Sequence, residues 1–151
     1  MAPHTSNWDF ILGKLYYSAI GRHAGFLMKK DWFFFPFGGI LKSMGGIPVD
    51  RSRRGSMVEQ LAERINESPK LSIAITPEGT RSATERWKTG FYRIACAANI
   101  PIQLAVIDYK ERELGIFETF YPTGDEEADI RYIRSRYYSE QARYPKKFVE
   151  Q

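Results

Sequence analysis

Cysteine and histidine are scarce in this chain, and their scarcity narrows the chemistry. Cys96 is the only cysteine, so no internal disulfide can form. His4 and His23 are the only histidines, and no set of residues has the spacing of a structural zinc site. Long apolar runs are also missing. None reaches membrane-spanning length, and no secretory signal precedes the first motif. Low-complexity tracts, internal repeats and linker-like stretches are absent too. These absences point to a single domain, residues 1–151, in a reducing cytoplasmic setting, soluble or lying on a surface.

What is present is apolar, aromatic and basic. Apolar residues make up 43% of the 151, with three Trp, nine Tyr and ten Phe, enough for a packed core. The net charge is +4, which favours an anionic partner: a phosphate ester, an acidic lipid headgroup or a nucleic acid. Nucleic acid ranks last. The arginines gather at expected strand ends, and no RNA or DNA motif is present.

Strands alternate with helices along the chain. Trp8, Ile11, Leu12, Leu15, Tyr16, Ala19 and Ile20 follow helical spacing behind Ser6 and Asp9, a Ser-x-x-Asp capping box. GFLMKK reads as a strand. In DWFFFPFGG, five large aromatics surround Pro36, which excludes a regular strand interior. The first reading is a core plug covering the sheet; the alternative is an exposed aromatic surface dipping into a bilayer interface. IPVD is a short strand ending in Arg51, Arg53 and Arg54. Ser56 and Glu59 form a second capping box, opening a helix with Val58, Leu61, Ala62 and Ile65 inward. LSIAIT is a strand. Gly90 to Ala98 is a helix with Phe91, Ile94, Ala95 and Ala98 inward and Cys96 as a buried packing residue. IQLAVID and LGIFETFY read as an antiparallel pair. DEEAD opens a last helix, whose far end interleaves tyrosines with arginines and lysines and suits a membrane surface as well as its own domain. The expected fold is an α/β layered domain with a mixed, largely parallel sheet flanked by helices.

Two stretches carry candidate chemistry. His4 stands one turn ahead of the first helix and Asp9 one turn inside it. A pair five apart meets only if the first member lies outside the helix, and the Ser6 boundary places His4 there. The imidazole can then turn back to the carboxylate with its other nitrogen outward, the base and orienter of a triad. The plain alternative is that Asp9 only caps the helix and His4 is solvated. The loop Pro77, Glu78, Gly79, Thr80, Arg81 has a flexible glycine, a hydroxyl and a guanidinium suited to cradling phosphate. Its plain alternative is a strand-exit turn in which Glu78 pairs with Arg81.

His4 with Asp9, GGIPVDRS with Arg51, TPEGTRS and the following WKTGF together resemble, in order and spacing, the glycerolipid acyltransferases that act on lysophosphatidic acid. The likeness runs from about Ala2 to Val106. It implies that His4 is the general base, that Asp9 orients it, and that Arg51, Glu78, Gly79, Thr80 and Arg81 hold the acceptor's phosphate end. It further implies a lysophospholipid acceptor, an acyl thioester donor on coenzyme A or acyl carrier protein, no bound cofactor and no metal. An anionic membrane surface is the expected partner, with the protein peripheral on its inner face. Other lysolipid acceptors, or a noncatalytic module binding phosphate or anionic lipid, are the alternatives. The chain departs from the family pattern at three places. Met1, Ala2 and Pro3 alone precede the histidine where a hydrophobic strand or membrane-anchoring segment is usual. Leu104 stands where a second proline is common, and Thr76 where an aromatic is frequent.

Overall fold

The computed structural model describes residues 1–49, 54–68 and 71–150. The first helix, α1 (Asn7–Ala19), begins at the Ser6 cap. Strand β1 (Ala24–Lys29) follows, then a turn of 3₁₀ helix at Lys30–Trp32 and the short α2 (Phe37–Ser43). Next come β2 (Gly46–Val49), α3 (Arg54–Glu67), β3 (Ser72–Ala74) and α4 (Gly90–Ala98). The hairpin of β4 (Ile102–Asp108) and β5 (Glu113–Phe120) precedes α5 (Glu126–Arg134) and two final 3₁₀ turns, Ser139–Gln141 and Pro145–Lys147.

The expected α/β layering is present. β1 lies between β2 and β3 in a parallel three-stranded sheet, with Leu27 opposite Ile47 and Gly25 opposite Ile73. Parallel strands need crossover connections: α2 lies on the one from β1 to β2, and α3 on the one that carries the chain from β2 past β1 to β3. β4 and β5 form a separate antiparallel ladder with an irregularity at Leu104/Ala105. Between the two sheets, the Ala2 amide donates to the Ala105 carbonyl at 3.4 Å.

Two clusters form the interior. Ile47, Val49, Leu61, Ala62, Ile65, Ile94 and Ala98 join the parallel sheet to α3 and α4. Ala2, Trp87, Leu104, Ile133, Tyr137, Ala142 and Phe148 join the hairpin to α5 and the C-terminal segment. The inward faces of α3 and α4 follow their apolar spacing, except that on α4 Tyr92 is the buried ring and Phe91 is only partly buried.

Three expectations are corrected. Cys96 is exposed, because Tyr92, Ile94, Ala95 and Ala98 take the buried face of α4 and position 96 falls on the other side. Ser56 is not a helix cap, since α3 has already begun at Arg54. The aromatic stretch is not a core plug. Trp32, Phe34, Phe35 and Phe37 are all exposed, Phe35 at 94%. The Phe34 and Phe37 rings pack edge to face on each other, 5.5 Å apart. Beneath them, Gly38 lies so close to the Phe33 backbone that a Cβ would sit 2.7 Å from its carbonyl oxygen. The turn into α2 is thus tight on its inner side, and the rings are left on the outer one. Trp8, Ile11 and Leu15 on α1, and Ile20 just after it, also face outward, so helical spacing there identified the helix without giving it a packed face. Among the described residues, no helix is long and apolar enough to cross a membrane.

Candidate active site

The N-terminal turn of α1 builds the site. Ser6 is extended and its hydroxyl accepts from the Trp8 amide at 3.1 Å. Asp9 Oδ2 accepts from the Thr5 and Ser6 amides at 2.8 and 2.9 Å, satisfying donors that a helix start leaves orphaned. The same oxygen lies 3.1 Å from His4 Nδ1. Capping and pairing are therefore not rivals: one buried carboxylate does both.

Asp9 has no exposed surface. Burial alone would raise its pKa, but hydrogen bonds from His4, Tyr109 and the Ser6 and Thr5 amides hold it below the usual aspartate value. An ionised Asp9 can only accept, so Nδ1 carries the proton, and in the neutral imidazole that leaves the lone pair on Nε2. The His4 side chain is 18% exposed and lines a cavity.

The Pro77–Arg81 loop meets His4 from the other side. Glu78 is buried, and its Oε1 accepts from the His4 amide at 2.8 Å. Its Oε2 has no partner among the described residues. Burial pushes the Glu78 pKa up, with the His4 amide bond acting in the opposite sense. The expected alternative, a Glu78–Arg81 ion pair, is not formed: the carboxylate faces inward while Arg81 is exposed. Gly79 has φ +61°, and a Cβ there would lie 2.8 Å from the Lys88 Cε and Nζ. Glycine thus serves both the left-handed turn and the close passage of Lys88.

Gly79, Thr80, Arg81 and Lys88 line the same cavity as His4. This cleft of about 2090 Å³ also takes apolar wall from Phe10, Phe26 and Leu104, with residues of β3 and β4 on its two sides. It exceeds the ~300–1,000 Å³ of a small-molecule pocket because it is a wide cleft open to solvent rather than an enclosed cavity. His4 and Asp9 are thus paired, Glu78 anchors the histidine backbone, and Gly79, Thr80 and Arg81 border the cleft. Arg51 lies outside the described residues. Among those residues, no cluster suited to a metal ion occurs.

One member of the site was missed by sequence reasoning. The Tyr109 hydroxyl donates to Asp9 Oδ1 at 2.7 Å from 100 positions away. Nothing in the local sequence signals this contact, since Tyr109 stands in a polar hairpin turn and its partner is remote along the chain.

A family model described as Acyltransferase matches residues 1–108. A 1-acyl-sn-glycerol-3-phosphate acyltransferase from Cocos nucifera is 35% identical over 82 residues, which is 50% of this chain and 27% of that protein. The chain therefore spans about a quarter of the relative's length. No solved structure gives a significant match.

Proposed function

Because the chain belongs to the acyltransferase family, we propose that it moves a fatty acyl group from a thioester to the free hydroxyl of a lysophospholipid, 1-acyl-glycerol 3-phosphate foremost. The observation that carries this reading is the His4 Nδ1–Asp9 Oδ2 contact of 3.1 Å beside a cleft that the Gly79–Arg81 loop also lines.

A glycerol hydroxyl is a weak nucleophile near neutral pH. His4 Nε2 takes its proton as the oxygen attacks the thioester carbonyl carbon, and Asp9 stabilises the imidazolium. The tetrahedral intermediate collapses with cleavage of the carbon–sulfur bond, and the imidazolium returns the proton to the departing thiolate. General-base help of this kind is worth ~10² to 10⁴ in rate. Holding the acceptor by its phosphate makes the attack effectively intramolecular. Arg81, with the Thr80 hydroxyl, suits that task, and Arg51 is the other arginine assigned to it. Arginine's planar fork grips two phosphate oxygens where lysine offers a point charge. Glu78 acts behind the loop, fixing the histidine backbone rather than touching phosphate.

Direct transfer needs no acyl-enzyme. Ser6 is occupied as a cap, and Cys96, although exposed, does not line the cleft. The donor is an acyl group on coenzyme A or acyl carrier protein. The enzyme reaches its insoluble acceptor from an anionic membrane surface, through the exposed aromatics of α1 and residues 32–37 and the basic C-terminal segment.

The test is transfer from acyl-coenzyme A, and separately from acyl carrier protein, to 1-acyl-glycerol 3-phosphate. His4→Ala should lower kcat by ~10² or more, while Arg81→Ala should act mainly by raising KM for the acceptor. Undiminished transfer by His4→Ala defeats the reading. Acceptor binding with no turnover from either donor moves the assignment to a noncatalytic lipid-binding module.

A further inference from the structure

Asp9 is the fixed point of the site, and its two oxygens are held very differently. Oδ2 receives His4 and two backbone amides; Oδ1 receives the Tyr109 hydroxyl, at 2.7 Å. Tyr109 is held in turn by the C-terminal segment. Its amide donates to the Gln141 carbonyl at 2.9 Å. The Arg143 guanidinium lies 6.0 Å from the Tyr109 ring centre, 5.5 Å from that of Trp8 and 5.7 Å from that of Tyr144. The Tyr144 amide donates to Thr5 Oγ1 at 3.3 Å, closing the circuit onto the residue beside His4.

We infer that Tyr109 is a positioning residue for the His4–Asp9 pair, and that residues 141–144 hold it against the first turn of α1. The family match ends at residue 108, so this support comes from a part of the chain outside the matched region. The consequence for rate rests on the acyl-transfer reading; the consequence for His4 itself does not.

The groups facing one another are few. His4 faces the carboxylates of Asp9 and Glu78, Asp9 faces Tyr109, and Tyr109 faces Asp9 and Arg143. Burial first, and then Asp9, push the Tyr109 pKa up, so its hydroxyl remains a donor throughout the working pH range. Removing that donor has two effects. The Asp9 charge, no longer shared with a phenol, bears more fully on the imidazole and favours its protonated form. The carboxylate also gains freedom to pivot about Oδ2, which loosens the base. The acid limb of the rate profile should therefore move to higher pH and kcat should fall.

The experiment uses the full chain carrying Tyr109→Phe, which deletes the hydroxyl and keeps the ring under Arg143. Imidazole nitrogen resonances are followed through a pH titration, with His4 identified by its loss in His4→Ala. The expected result is a His4 midpoint above that of the unaltered chain. Transfer from acyl-coenzyme A to 1-acyl-glycerol 3-phosphate should show kcat down about tenfold, the scale of one hydrogen bond to a charged group, with both KM values unchanged. A ring-fluorinated tyrosine at 109 preserves the packing and strengthens the donor. It should move the midpoint the opposite way, and it decides the matter if the phenylalanine variant fails to fold. A His4 titration indifferent to both changes overturns the inference, as does a KM effect with kcat intact. Transfer surviving in His4→Ala defeats the acyl-transfer reading instead, and the titration still decides the role of Tyr109.

Discussion

Phe35 is 94% exposed, at the tip of a segment whose neighbours Trp32, Phe34 and Phe37 are each more than half exposed. Alone, an exposed aromatic means little; four in six residues form a surface that water does not favour. The outward face of α1 adds Trp8, Ile11 and Leu15. The two segments are tied together, because Lys14 of α1 donates to the Met44 carbonyl at the end of α2. If this surface enters a bilayer interface, Phe35→Ala should remove most of one phenylalanine's burial, ~1.5–3 kcal/mol for a full side chain, or roughly ten- to 150-fold in vesicle partition. The folded protein should not notice. A side chain with almost no contacts contributes little to stability, and exposed substitutions usually fall within about 0.5 kcal/mol.

The measurement is sedimentation with vesicles of mixed zwitterionic and anionic phospholipid, alongside thermal melting and turnover on a short-chain acceptor below its micellar concentration. Partition should fall steeply while melting temperature and turnover of the monomeric acceptor hold. Raising salt should weaken binding of both proteins alike, since the cations are untouched. Unchanged partition refutes the membrane-surface argument. A large loss of melting temperature refutes the claim that Phe35 has no structural partner.

Two further predictions concern the Pro77–Arg81 loop. Gly79→Ala places a Cβ on a backbone at φ +61° and against Lys88. It should cost ~1–2 kcal/mol in a urea titration and weaken acceptor binding by moving the loop; an unchanged unfolding midpoint counts against the left-handed turn. Glu78→Gln keeps an oxygen for the His4 amide while deleting a charge whose pKa burial has raised. A carboxyl raised in the folded state costs stability above its folded pKa, and that cost fades as pH falls towards its unfolded value. The variant should therefore melt higher than the unaltered chain near pH 7, by a margin that closes on acidification; a margin that widens in acid reverses the sign and the argument.

The sequence showed local features well. The Ser6–Asp9 box, the start of α1, the extent of α4 and the β4–β5 pairing are all set by neighbours within a few residues, or by apolar spacing along one element. His4 and Asp9 were legible for that reason, since a helix start forces their approach. Tyr109 was not, because its hydroxyl reaches Asp9 only through the tertiary path of β4 and the C-terminal segment. The inward turn of Glu78 was hidden likewise, because its partner is a backbone amide 74 positions away. Apolar content predicts burial on average, and it failed in residues 32–37, where Phe33 alone turns its ring inward against Gly46 while Trp32, Phe34, Phe35 and Phe37 stay exposed. Cys96 failed in the same sense: a small soft residue on the outer side of a helix whose other face was already filled.

The two carboxylates at His4 settle how the site divides its work. Both are buried, and burial pushes both pKa values upward; they differ in what they receive. Asp9 takes donors on both oxygens and ends below its usual value, so it remains charged through any pH at which the enzyme would work. Its contribution to stability is present above the ordinary aspartate pKa and is lost only as pH falls through the lower folded value. Glu78 has one satisfied oxygen and ends above its usual value, so its charge is held at a cost. Groups driven apart in this way take different roles. A permanent anion paired with Nδ1 is suited to stabilising an imidazolium that comes and goes with each proton transfer. An inward carboxylate bonded to the histidine backbone amide leaves both ring nitrogens uncontested. In the proposed mechanism, Asp9 would thus set the orientation of His4, and Glu78 would couple His4 to the loop expected to hold phosphate, so that displacement of that loop would be felt at the imidazole.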